Sequence, residues 1–151
     1  MEFTHTQATA VGFPISIGGR EYVLRPLRDT DYAEFIAYVQ QRIAERTLPI
    51  IESIKLPQPR AAAHDAMIRT LAAVCWGDTN CAAALTTLEG LARLLWLGMR
   101  RDNPTLTPDA IQALIMENPD SLRSMADTFQ RINAPPAGMP NEPPGKAQAG
   151  Q

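Results

Sequence analysis

Several things this chain has little of narrow its function before any motif is sought. It has two cysteines, Cys75 and Cys81, among 151 residues. That is too few for a disulfide framework, and their spacing matches no zinc pattern. Both read as small apolar side chains in a reducing compartment. The formal net charge is only −2, so the chain as a whole offers no electrostatic case for nucleic acid or an anionic membrane. Unbroken apolar runs such as Leu94 to Met99, counting Gly98, are about six residues long, whereas a membrane span needs about twenty. The opening MEFTHTQATAVGF has neither a basic n-region nor an apolar h-region, so it reads as no signal peptide and the protein is expected in the cytoplasm where it is made.

Chemistry is equally sparse. None of the motifs G-x-S-x-G, H-E-x-x-H, G-x-x-x-x-G-K-[ST] or G-x-G-x-x-G occurs. His64 lies on the apolar side of an expected helix with Met67 and Ile68 at i+3 and i+4, so it has no convergent ligand and reads as a packed histidine. His5 stands in a small, polar N-terminal stretch. Asp29 and Asp31 are better used in starting a helix than as paired acid and base. No catalytic residue, metal ligand or cofactor site is expected, and the chain reads as no enzyme.

What is there is helix-forming and apolar. The content is 45% hydrophobic and 20% charged, as in ordinary globular domains. Residues 1–13 read as a flexible N-terminal arm. Pro14 to Leu24, PISIGGREYVL, places Gly18-Gly19 between two short β-prone runs, a hairpin signal. Ile15 and Ile17 share one face, as do Tyr22 and Leu24. An isolated hairpin is marginal in water, so this one must lie on helices or on another chain.

Asp29-Thr30-Asp31 then opens a helix, with Asp31 and Glu34 spaced as a capping box. Its apolar stripe is Tyr32, Phe35, Ile36, Val39 and Ile43. Pro49 is expected to end or kink it, which leaves Ile50, Ile51, Ile54 and Leu56 unassigned. A second helix starts near Pro59 and closes at Trp76-Gly77. Asp78-Thr79-Asn80 begins a short helical stretch. Thr86 and Glu89 match a second capping box, so a new helix starts there or the previous one runs through. Leu88, Leu91, Leu95 and Met99 form its stripe, widened by Leu94, Trp96 and Leu97. Glu89 and Arg93 are spaced as an i,i+4 ion pair. Thr107-Pro108-Asp109 is a strong helix start, and a last helix runs from Asp120 to about Ile132.

From Ala134 the chain has five prolines, three glycines and one apolar side chain larger than alanine. Such a segment cannot offset the entropy of ordering, and 134–151 is expected to be a disordered tail. The fold class expected is therefore mainly α: four to six helices over residues 14–133 with an N-terminal β-hairpin. A helix-turn-helix over 107–132 is the DNA-binding alternative, but Arg123 and Arg131 are offset by Asp120 and Asp127 on its last helix, a poor recognition surface.

The order of elements resembles a known family. The hairpin ISIGGREYVLRPL, an aspartate-started amphipathic helix, then LARLLWLGMRRDNPTLTPDAIQALI, a last helix and a polar tail are similar to the tail assembly chaperones of long-tailed bacteriophages. The likeness covers about residues 14 to 133. It implies a non-catalytic protein of the host cytoplasm that coats the tape-measure protein, hiding its apolar heptads until tail tube protein displaces it. The partners expected are the tape-measure protein, tail tube protein and further copies of the chain itself. The contact residues expected are Phe35, Val39, Leu91, Leu95 and Trp96, from the two most apolar stripes. A structural virion component of the tail or head–tail junction is the alternative from the same setting.

Overall fold

A computed structural model describes residues 12–134. Residues 1–11 of the arm expected at 1–13, and residues 135–151 of the tail expected at 134–151, lie outside the described residues. The fold is mainly helical, with an N-terminal two-stranded antiparallel hairpin. Strands β1 (Phe13–Ile17) and β2 (Arg20–Leu24) precede α1 (Asp29–Glu52), α2 (Pro57–Ala73), α3 (Thr79–Leu85), α4 (Leu88–Met99), α5 (Pro108–Glu117) and α6 (Pro119–Asn133).

The hairpin begins one residue earlier than its sequence suggests, because Phe13 pairs with Leu24. Ile17 opposes Arg20 across the two-residue turn, and both turn glycines have positive φ, 59° and 77°. Glycine suits both positions because it has no Cβ to clash, and tight hairpin turns of matching twist place both central residues in the left-handed region. Ile15, Ile17 and Leu24 are buried. They rest on α4, α5 and α6, so the helices supply the apolar cover that a lone hairpin lacks.

Helix α4 is the axis of the body. Of its 12 residues, Gly90, Ala92, Leu94, Leu95, Leu97, Gly98 and Met99 are buried. Ala92, Leu95 and Met99 meet the hairpin together with Ile111, Ile115 and Met125 from α5 and α6. Leu94 and Leu97 meet Phe35, Tyr38, Val39, Val74 and Cys81 on the other side. An apolar helix with almost no polar face is what burial on two sides requires. Gly98 lets β2 come close: a Cβ there would lie 2.7 Å from Leu24 Cδ1, and the Arg25 N–H donates to the Gly98 carbonyl at 2.9 Å.

The helix starts differ in register from the sequence reading. Asp31 stands in the first turn of α1 and accepts from the Arg28 N–H at 2.8 Å. Glu34 takes no part in capping and instead meets Arg100. The chain does break before α4, but Thr87, not Thr86, is its N-cap, accepting from the Gly90 N–H at 3.0 Å. Glu89 pairs with Arg42 at 2.8 Å rather than with Arg93. Arg93 lies over the rings of Tyr38 and Trp96.

The largest departure is at Pro49. Helix α1 runs through it to Glu52. An interior proline costs about 3 kcal/mol or more. Burying Ile51 in the following turn returns about 1.5–3 kcal/mol, and the Ser53 N–H closes that turn on the Pro49 carbonyl at 3.2 Å.

Candidate partner-binding surface

The expected contact residues divide once the chain is folded. Phe35, Val39 and Leu95 are buried within the chain's own core. In this conformation they are removed from the contact set, because a side chain with no accessible surface has none to offer a partner. Leu91 and Trp96 are half-buried. Trp96 is already engaged: its Nε1–H donates to the Leu106 carbonyl at 2.7 Å, and the guanidiniums of Arg93 and Arg100 lie 5.5 and 5.0 Å from its ring centre. The wide apolar surface of α4 is thus the inside of the domain.

The body is clasped by charge on the side where α1 starts. Arg100 forks onto Glu34 at 2.7 Å through both terminal nitrogens, and also reaches Asp31 at 2.8 Å. Arg101 donates to the Pro26 carbonyl at 2.6 Å and lies 3.5 Å from Asp31. Burial lowers the Arg101 pKa from its ordinary value, with Arg28 adding to the effect. Arg25 and Asp102 form a forked pair, with one contact at 2.8 Å, and that hydrogen bond holds the Asp102 carboxyl below the usual carboxylate range. These arginines, adjacent to α4, tie its end to α1 and to the segment after β2. They are a structural clamp.

A different part of the chain is open. Beyond Ile43, α1 leaves the body and pairs with α2 as a helical hairpin. Gln40 Nε2 donates to the Leu71 carbonyl at 2.8 Å near the base. Arg60 Nε donates to the Ile54 carbonyl at 2.7 Å at the tip. None of the 17 residues of α2 is buried by the rest of the described chain. Ile50 and Leu56 are each 66% exposed and Ile68 is 59% exposed. These belong to the segment the sequence left unassigned and to the helix after it.

One side of this arm is a groove of about 330 Å³ lined by Ile43, Thr47, Ile50, Ile51 and Ile54 of α1 and its following turn, and by Ala63, Ala66, Met67 and Thr70 of α2. A second hollow of about 130 Å³ adjoins it at Ile43, walled by Asn80, Ala83 and Ala84 of α3 and by Thr87 and Glu89. The two hollows share Ile43 as a lining residue, one opening towards α3 and the other towards α2.

Elsewhere there is little that suggests chemistry. Among the described residues, no three His, Cys, Asp or Glu side chains are grouped so as to hold a metal ion. His64 is half-buried on the α2 side of the arm. Cys75 is exposed and Cys81 buried; burial, with the Asp78 charge, pushes the Cys81 thiol up to about 11. No helix of the described residues is long and apolar enough to cross a membrane. Compared with family models, curated proteins and solved structures, the chain matches none.

Proposed function

We propose that the protein is a tail assembly chaperone of a long-tailed bacteriophage. It acts in the host cytoplasm and covers apolar helical stripes of the tape-measure protein until tail tube protein displaces it. It works by binding and catalyses no reaction. The observation that carries this reading is the arm: a solvent-facing pair of helices with Ile50, Leu56 and Ile68 exposed, on a body whose two core clusters contain no residue of α2 and none of α1 beyond Ile43. Exposed apolar surface arranged along a groove marks sites where partners dock.

The energetics suit a temporary cover. Burying three side chains such as Ile50, Leu56 and Ile68, which are about two-thirds exposed, yields about 3–6 kcal/mol in gross terms. Association costs about 4–15 kcal/mol in lost rigid-body freedom. One arm on one stripe therefore holds weakly, and it can be displaced by a tube protein that binds over a larger area.

Co-expression of the full chain with the large protein encoded beside it tests the reading. The wild type should keep that protein soluble and co-purify with it, whereas an Ile50→Asp, Ile68→Asp double variant should lose both properties while remaining folded. Finished particles should lack the chain. Its presence there in fixed copy number would assign it instead to the virion structure.

A further inference from the structure

The outer side of α2, away from α1, carries an ordered set of exposed residues. At about 100° per residue, Ile68, Ala61, Ala72, Asp65 and Arg69 fall in that order within an arc of about 100°. All of them are exposed. The half-buried residues Ala63, His64, Met67 and Leu71 lie on the other side of the helix, where α1 packs. Asp65 and Arg69 are one turn apart, yet neither forms an ion pair among the described residues. The one hydrogen bond of the Arg69 side chain there is from Nε to the Asp65 backbone carbonyl, at 3.3 Å. A carboxylate and a guanidinium thus stand side by side, uncompensated, on a helix face that no described element buries.

This pattern is its own complement. Met67 is midway between the two charges, so a second α2 turned end over end about that level brings Asp65 of each copy level with Arg69 of the other. Two ion pairs result, one on either side of the two-fold axis. Ile68 of one copy meets Ile68 of the other across the axis. Ala61 comes within one residue, about 1.5 Å, of the level of Ala72, and small side chains at both ends let the helix axes approach to about 8 Å. A two-fold contact requires this reciprocity, in which the residue that one position meets must meet it in return. A parallel pair would instead set Asp65 against Asp65 and Arg69 against Arg69.

We propose that this face of α2 is an interface between two copies of the chain, packed antiparallel. The contact is small. A helix of 17 residues is about 26 Å long and about 10 Å across. One helix-on-helix contact of that length buries several hundred Å², less than the roughly 1,200 Å² at which stable interfaces begin. The dimer is therefore reversible and grows with concentration. A second copy and a foreign helix would compete for Ile68, so partner binding on the arm opposes dimerisation. The interface follows from α2 alone and does not depend on the chaperone reading.

Sedimentation equilibrium of the full chain from about 10 µM to about 1 mM, the range a contact of this size calls for, tests the proposal. The wild type should pass from monomer to dimer. Asp65→Arg and Arg69→Asp each set like charges against one another at both pairs, and each should raise the dissociation constant about tenfold at low salt. An equimolar mixture of the two variants should restore the wild-type constant, because every facing pair is then of opposite sign. These differences should shrink in 0.5 M salt.

A wild type that stays monomeric throughout overturns the proposal. So does a dimer that both variants leave unchanged, or a mixture no tighter than its parts, since either places the contact elsewhere. If a single variant loses helix content by circular dichroism, the exchanged double variant Asp65→Arg, Arg69→Asp takes its place. It should dimerise with itself and not with the wild type, and free mixing with the wild type overturns the proposal. If the wild type stays monomeric while co-expression solubilises the large protein, this inference falls and the chaperone reading stands. If the chain dimerises as expected but nothing is solubilised, the chaperone reading falls and the interface stands.

Discussion

Helix α4 and the α1–α2 arm both carry large aliphatic side chains, yet folding treats them in opposite ways. In α4 the leucines are enclosed from two sides by the hairpin, α5 and α6 on one and by α1 and α3 on the other. In the arm Ile51 is buried while Ile50 and Ile68 face solvent. Aliphatic residues alone do not say which of them will be enclosed; what decides is how many neighbours the topology brings. Under the proposed function the difference also divides labour, with the body supplying stability and the arm the surface offered to the partner.

The comparison breaks if substitutions in the two regions have similar effects. Leu95→Ala should be the most damaging, destabilising the body by about 2–5 kcal/mol through lost transfer energy and a residual cavity, measured by urea denaturation. Asp31→Ala comes next. It leaves Arg101 and Arg100 without a carboxylate that is 2% exposed. Since both guanidiniums retain partial contact with water, a cost of about 2–3 kcal/mol is expected, below that of a fully buried pair. Gly98→Ala should cost about 1–3 kcal/mol by overpacking, because the added methyl meets Leu24 and the Arg25 carbonyl. Ile68→Ser on the arm should change stability by about 0.5 kcal/mol or less while weakening partner capture.

Cys81 sharpens the contrast through pH. Its thiol ionises at about 11 in the folded chain against 9.0 ordinarily. The folded state thus holds the proton more tightly than the unfolded one. Its contribution is fully present below pH 9 and is lost as the pH rises toward 11. The urea midpoint should fall over that window, and Cys81→Ala should flatten that part of the fall. At pH 8 a thiol reagent should label the exposed Cys75 and spare Cys81 until the chain unfolds.

Much of the body was legible in the residues. Gly-Gly between β-prone runs marked the hairpin, Thr107-Pro108-Asp109 marked the start of α5, and the spacing of Leu122, Met125 and Phe129 marked α6. Each is a local signal with a local cause. The arm was not legible, for two physical reasons. Pro49 carries a strong local signal for helix termination, and tertiary burial of Ile51 overrode it. Exposure of Ile50 and Ile68 depends on which elements fail to pack nearby, which no periodicity records. For the same reason Phe35, Val39 and Leu95 stood out as contact residues: a stripe facing a core and a stripe facing a partner have the same spacing. Thr86 and Glu89 mimicked a capping box, while the real cap, Thr87, needed only one hydroxyl and a free N–H at Gly90.

Hydrogen–deuterium exchange of the full chain, alone and in complex with the co-expressed large protein, tests the central claim most directly. Partner binding through the arm predicts slowed exchange across residues 43–73, with α4, α5 and the hairpin unchanged. Protection confined to α5 and α6, or no new protection on the arm, would contradict it.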